Sequence, residues 1–117
     1  MLDGGDGVDL ASYSKAKARV VVDLALVGVQ DTVGAGLDTL TSIEDLAGSE
    51  FGDELAGDAA ANAIGGRGGG DTLDGREGDD HLVGAMGNDA LTGGPGTDLC
   101  YGGPGSNVIT DCEVTDI

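Results

Sequence analysis

One apolar position recurs every nine residues through most of this chain: Leu46, Leu55, Ile64, Leu73, Leu82, Leu91, Cys100 and Ile109 follow one another without a slip. Two residues before each of the last seven stands a short polar side chain, in order Asp53, Asn62, Asp71, Asp80, Asp89, Asp98 and Asn107. The clearest copies of the unit occupy 75–83, 84–92 and 93–101, and each opens on glycine. Glycine tolerates the positive φ values that let the first part of a unit turn sharply. The last part is then a very short strand whose eighth residue faces inward while the seventh and ninth face outward. One inward side chain per unit buries almost nothing alone. Only stacked units make a core, so the pattern predicts a solenoid of nonapeptides.

Upstream the pattern loosens. Partial copies stand at 4–11 and 34–40, and the stretch between Tyr13 and Thr32 interrupts the repeat. Within it Val20, Val22, Leu24 and Leu26 alternate with Val21, Asp23 and Ala25, the period of a strand with one buried face. Residues 14–19 form an expected solvated turn that holds Lys15, Lys17 and Arg19, three of the 5 basic residues. The organisation expected is irregular first coils with an inserted strand and loop over 1–45, a regular nonapeptide roll over 46–110, and a C-terminal end cap over 111–117.

Composition narrows the chemistry. With 24 glycines, 3% aromatics and no tryptophan, a core of large side chains is not available. The 22 acidic residues against 5 basic give a formal charge of -17, which argues against nucleic acid and anionic membranes as partners. No run approaches the ~18 apolar residues of a membrane span. So acidic a chain repels itself and stays open unless something neutralises it. A carboxylate or carboxamide repeated beside turn carbonyls is a set of hard oxygen ligands, and such a set suits calcium.

The unit, of form GGxGxDxUx, resembles the repeats-in-toxin (RTX, hemolysin-type) calcium-binding nonapeptide in strict register from Leu46 to Ile109, and 41–53 is similar to the irregular lead-in of that family. The resemblance implies an all-β fold, a right-handed parallel β-roll (β-solenoid) in which two nonapeptides complete a turn and Ca2+ ions lie between turns. It implies a second period of eighteen, with Asp53, Asp71, Asp89 and Asn107 along one edge and Asn62, Asp80 and Asp98 along the other. Traced backward, Asp9 and Asp38 join the edge of Asp53, while Glu44 and Asp45 join the other. The basic turn is expected beside Asn62 and Asp80, replacing calcium's charge in the first coil.

Several Ca2+ ions are expected on the side chains of Asp9, Asp38, Asp53, Asn62, Asp71, Asp80, Asp89, Asp98 and Asn107. Backbone carbonyls near Gly66, Gly68, Gly69, Gly75, Glu77, Gly78, Gly84, Met86, Gly87, Gly93, Gly94 and Gly96 would complete the sites. Arg67, Arg76 and Ala85 depart from the family pattern by standing where it has its second glycine, and Asn62 and Asn107 each lack a negative charge.

Cys100 takes an inward position in the last full coil and Cys112 lies just beyond it, so a disulfide closing the open end is the expectation, with two free thiols the alternative. Such a bridge requires an oxidising compartment. The spacing fits no zinc motif. No HExxH, GxSxG or phosphate loop occurs, and the lone histidine, His81, holds an outward position, so no active site is expected. His81, Val83, Leu99 and Tyr101 stack as an outward patch that marks a contact surface, for a neighbouring domain or a second copy.

The opening Met1, Leu2 and Asp3 lack the basic start and apolar stretch of a signal peptide, and Leu2 falls in the eighth position relative to Ala11. The chain is therefore expected to begin inside a repeat, as a piece of a longer secreted protein. The function expected is a calcium-binding module that folds on Ca2+ binding and serves a structural, secretion-linked role. Alternatives are an accessory domain of a secreted enzyme or an adhesive glycan-binding surface.

Overall fold

The computed structural model describes residues 2–3, 5–26, 28–32, 36–41 and 43–116. Among these every regular element is a strand of two or three residues. They are β1 (Leu2–Asp3), β2 (Leu10–Ser12), β3 (Val21–Asp23), β4 (Gln30–Asp31), β5 (Leu37–Asp38), β6 (Leu40–Thr41), β7 (Asp45–Ala47) and β8 (Glu54–Ala56). There follow β9 (Ala63–Gly65), β10 (Thr72–Asp74), β11 (His81–Val83), β12 (Ala90–Thr92), β13 (Leu99–Tyr101), β14 (Val108–Thr110) and β15 (Val114–Asp116). No helix of the described residues is long and apolar enough to cross a membrane.

Successive units fall on opposite sides, so the chain builds two parallel sheets at once. One is five-stranded in the order β14-β12-β10-β8-β3 and the other six-stranded in the order β15-β13-β11-β9-β7-β2. Pairing partners are one full coil apart: Leu73 lies beside Leu55 and Leu91, and Leu82 beside Ile64 and Cys100. The fold is a parallel β-roll. Its core is the inward column of each sheet, where Leu46, Leu55, Ile64, Leu73, Leu82, Leu91 and Cys100 are all buried. A fully buried aliphatic side chain of this size contributes about 1.5–3 kcal/mol.

The strand expected over 20–26 is shorter than its alternation. Val20 and Val22 are buried, and the pairing of β3 with β8 puts Val22 beside Leu55. At Asp23 the chain turns, because its own carboxylate accepts the backbone N–H of Ala25 at 2.8 Å. Leu26, expected on the buried face, is exposed.

The turns divide by chemistry. Between residues 66 and 107 each holds two residues at positive φ: Arg67 and Gly69, Arg76 and Gly78, Ala85 and Gly87, Gly94 and Gly96, Gly103 and Gly105. Three of these ten are not glycine, so the backbone imposes a left-handed conformation on side chains that resist it. The two earlier turns, 48–53 and 57–62, have no positive φ. Local side chains shape them instead. Phe51 donates its N–H to Ser49 Oγ at 3.1 Å, and Ala60 donates its N–H to Asp58 Oδ1 at 2.9 Å.

At the C-terminal end the chain adds another strand. β15 pairs with β13, placing Thr115 beside Cys100. The expected disulfide between Cys100 and Cys112 is present, with a Cα–Cα distance of 6.1 Å. On the outer face of the same sheet His81 lies between Ala63 and Leu99, and Val83 between Gly65 and Tyr101.

Candidate metal centre

A sixth-position residue closes each turn just before its strand, so its side chain lies at the mouth of the core, under the turn of the coil before. The first edge is a ladder of backbone-to-carboxylate bonds. Asp53 N–H donates to Asp71 Oδ1 at 2.7 Å, Asp71 N–H to Asp89 Oδ1 at 2.8 Å, and Asp89 N–H to Asn107 Oδ1 at 2.8 Å. The second edge repeats it: Asn62 N–H donates to Asp80 Oδ1 at 2.8 Å and Asp80 N–H to Asp98 Oδ1 at 2.7 Å. Both columns join the residues expected from the eighteen-residue period.

Each rung uses one oxygen and leaves the other. The Oδ2 atoms of Asp71, Asp80, Asp89 and Asp98 are buried with no hydrogen-bond partner. A buried carboxylate oxygen without a donor costs more than a lost hydrogen bond, so four repeats of the same defect call for a cation. The space beside each oxygen is kept open by the first glycine of the turn. A Cβ at Gly75 or Gly93 would lie 2.5 or 2.6 Å from the Oδ2 of Asp80 or Asp98. A carbonyl from the following coil faces this space at Asp98, where it is that of Asp111, and the equivalent space at Asn62, where the Gly75 carbonyl lies 2.9 Å from the Cβ position of Gly57. Among the described residues no three acidic, histidine or cysteine side chains converge on one point. Any cation held here takes one or two carboxylate oxygens and completes its shell from carbonyls, a mixed oxygen set that fits calcium.

Not every expected ligand shares this geometry. Asp53 is saturated: its Oδ1 accepts from Val20 N–H at 2.8 Å and Ser49 Oγ at 2.7 Å, and its Oδ2 from Ser49 N–H at 2.7 Å. Asn62 gives Oδ1 to Asp58 N–H and donates its amide to the Glu44 carbonyl. Asn107 donates its amide to the Gly103 carbonyl at 2.9 Å. Asp38 stands outside both columns, its carboxylate engaged by the hydroxyls of Tyr13 and Thr32. The carbonyls of Gly69, Gly78 and Gly87 each pack against a glycine one coil later, Gly87, Gly96 and Gly105.

Three edge assignments are corrected. Asp38, expected on the edge of Asp53, joins neither edge, since among the described residues its strand pairs only with β4. Asp9 heads the edge of Asn62, not that of Asp53, because β2 pairs with β7 and the Asp9 carbonyl accepts from Glu44 and Asp45 N–H. Arg19 ends the basic turn on the edge of Asp53, not beside Asn62 and Asp80. Its Nε donates to the Gly52 carbonyl at 3.2 Å and it pairs with Glu54 at 3.1 Å. The intervening loops differ in length from the nonapeptide, so counting nines could not carry the register back through them.

The sequence pattern places Glu44 on the second edge but not among the ligands, yet its Oε2 joins Asp9 Oδ2 among the buried oxygens without a partner. It misses Glu113, which supplies the last rung by accepting Asp98 N–H at 2.6 Å. Glu44 immediately precedes a strand, which is the available signal. Glu113 is out of register and gives none.

Burial raises the carboxyl groups of Asp71, Asp80 and Asp89. Desolvation pushes Asp71 up to about 7 and Asp80 up to about 6, against hydrogen bonds from Asp53 and Asn62 N–H that favour the ionised form. Asp89 and Glu44 are raised for the same reason. A folded-state value above the unfolded one stabilises the fold below the unfolded value, and that stability is lost as pH rises through the folded value. In chelator the β content should therefore grow as pH falls from 8 toward 5, while the calcium midpoint should move to higher concentration as protons compete. Circular dichroism titrations at pH 5.5 and 8 check both. A midpoint independent of pH would mean that these carboxylates are not where calcium binds.

A search of curated proteins finds no match to this chain. The family model of the RTX calcium-binding nonapeptide repeat (4 copies) matches residues 65–100 and, one repeat later, 74–109. The match begins where the turns with two positive-φ residues begin. Residues 65–109 therefore carry the RTX calcium-binding nonapeptide repeat.

Proposed function

We propose that this chain is a calcium-dependent folding module of a secreted protein, with Asp71, Asp80, Asp89 and Asp98 as its principal side-chain ligands. The observation that carries the reading is the set of four buried Oδ2 atoms without a partner, each beside a space held open by glycine. A bound Ca2+ supplies positive charge and oxygen coordination between successive turns. The chain's own residues do the rest: Oδ1 fixes each carboxylate to the backbone of the coil before, and the glycine keeps the space clear. Without the ion, a chain of formal charge -17 keeps its carboxylates in water rather than stacking them. Binding to the folded state alone then becomes folding free energy. Extracellular modules of this kind work at roughly 0.1–1 mM calcium, which matches an extracellular setting.

The test is circular dichroism during a calcium titration from chelator, repeated with magnesium. A cooperative gain of β signal with calcium is expected, and little with magnesium, which demands smaller octahedral sites and keeps its water. A folded signal unchanged by chelator would overturn the reading.

A further inference from the structure

We propose that the divalent-cation site at Asp98 is closed by the turn over 111–113, outside the repeat match, and is held in shape by the Cys100–Cys112 disulfide. The proposal rests on the calcium reading above, but its last wall is not a nonapeptide.

Asp98 is 1% exposed and its Oδ2 has no partner. That oxygen lies 2.6 Å from the Cβ position of Gly93, and the carbonyl oxygen of Asp111 faces the same point from the next coil. A carboxylate oxygen and a carbonyl oxygen thus converge on one space between two turns. Both are hard donors, which select calcium over softer metals.

The turn that brings the carbonyl there is specially built. Glu113 follows Asp98 by fifteen residues, where the coils before keep eighteen. Asp111 takes a left-handed φ of 54°. A residue other than glycine holds that conformation only where its surroundings impose it, and such positions gather at functional sites. Here the surroundings are four ties. Gly93 N–H donates to the Thr110 carbonyl at 3.0 Å and Glu113 N–H to the Asp98 carbonyl at 3.1 Å. Asp98 N–H donates to Glu113 Oε2 at 2.6 Å, and Cys112 is bonded to Cys100, two residues beyond Asp98. The disulfide therefore joins the two halves of the site. By linkage, calcium there and the disulfide stabilise each other by the same factor.

Isothermal titration with calcium chloride on the full oxidised chain tests this, with Cys112→Ala, Glu113→Ala and, as a charge control, Glu54→Ala, whose side chain is exposed and outside the turn. Each of the first two should weaken one site at least tenfold, or remove one ion from the stoichiometry, while the other sites keep their affinities. Glu54→Ala should match the wild type. Wild-type stoichiometry and affinities in both Cys112→Ala and Glu113→Ala would overturn the proposal and leave the calcium reading standing. No calcium uptake by the wild type would instead overturn that reading as well. If Cys112→Ala fails to reach the folded dichroism signal in saturating calcium, Glu113→Ala decides alone.

Discussion

Gly87→Ala should abolish the β signal at calcium concentrations that fold the wild type, while Ala85→Gly, two residues away in the same turn, should lower the calcium midpoint. Gly87 has φ 112°, beyond the left-handed well that other residues occasionally occupy, and its missing Cβ faces the Gly69 carbonyl of the coil before. Strain of this kind costs about 1–3 kcal/mol by itself. The steric contact adds to it, because what must move is backbone in a stacked coil. Ala85, at φ 70°, already bears a left-handed penalty of about 1–2 kcal/mol, partly offset by the lower freedom of alanine in the unfolded chain. Removing its methyl should therefore stabilise by about 0.5–1 kcal/mol. If both variants fold like the wild type, the turns are not held as described.

Asp71→Asn should change sign with calcium. In chelator the variant should be more stable than the wild type, because it removes a carboxylate whose charge burial disfavours, between Asp53 and Asp89. The chain itself shows that a carboxamide fits such a position: Asn107 keeps the rung to Asp89 with Oδ1 and satisfies its amide on Gly103. In calcium the variant should need about tenfold more ion, since a hydrogen bond or contact to a charged group is worth about 1.5–3 kcal/mol. Paired denaturant melts, with chelator and with saturating calcium, decide it. Destabilisation under both conditions would mean that Asp71 serves the fold rather than the ion.

The regular half of this structure could be read from the sequence because one number governs it. Once Leu73 and Leu82 are nine apart and must both face inward, their sheets, neighbours and edges follow, and Asp71 and Asp80 fall on opposite sides without further information. Where spacing fails, so does legibility. Counting nines puts Asp9 on the wrong edge because β2 docks on β7 across an irregular loop whose path no pattern specifies. Asp53 occupies a ligand position by count, yet Ser49, four residues earlier, satisfies it, a local hydroxyl contact invisible to periodicity. Glu113 does the work of a sixth-position aspartate from the wrong place, using one extra methylene to reach across a shorter turn.

The rungs all point the same way: every coil receives its acceptor from the coil that follows. The roll consequently has a grain. Within this ladder, removing coils from the N-terminal side strips away donors, and the carboxylates behind them become free to meet water or metal. Removing the last coil instead leaves the backbone N–H of Asp89 and Asp98 facing inward with nothing to bind, and the loss passes to a coil whose own sequence is intact. Through this ladder damage spreads from Glu113 toward the N-terminus, and an early truncation of the reading frame harms more residues than it deletes.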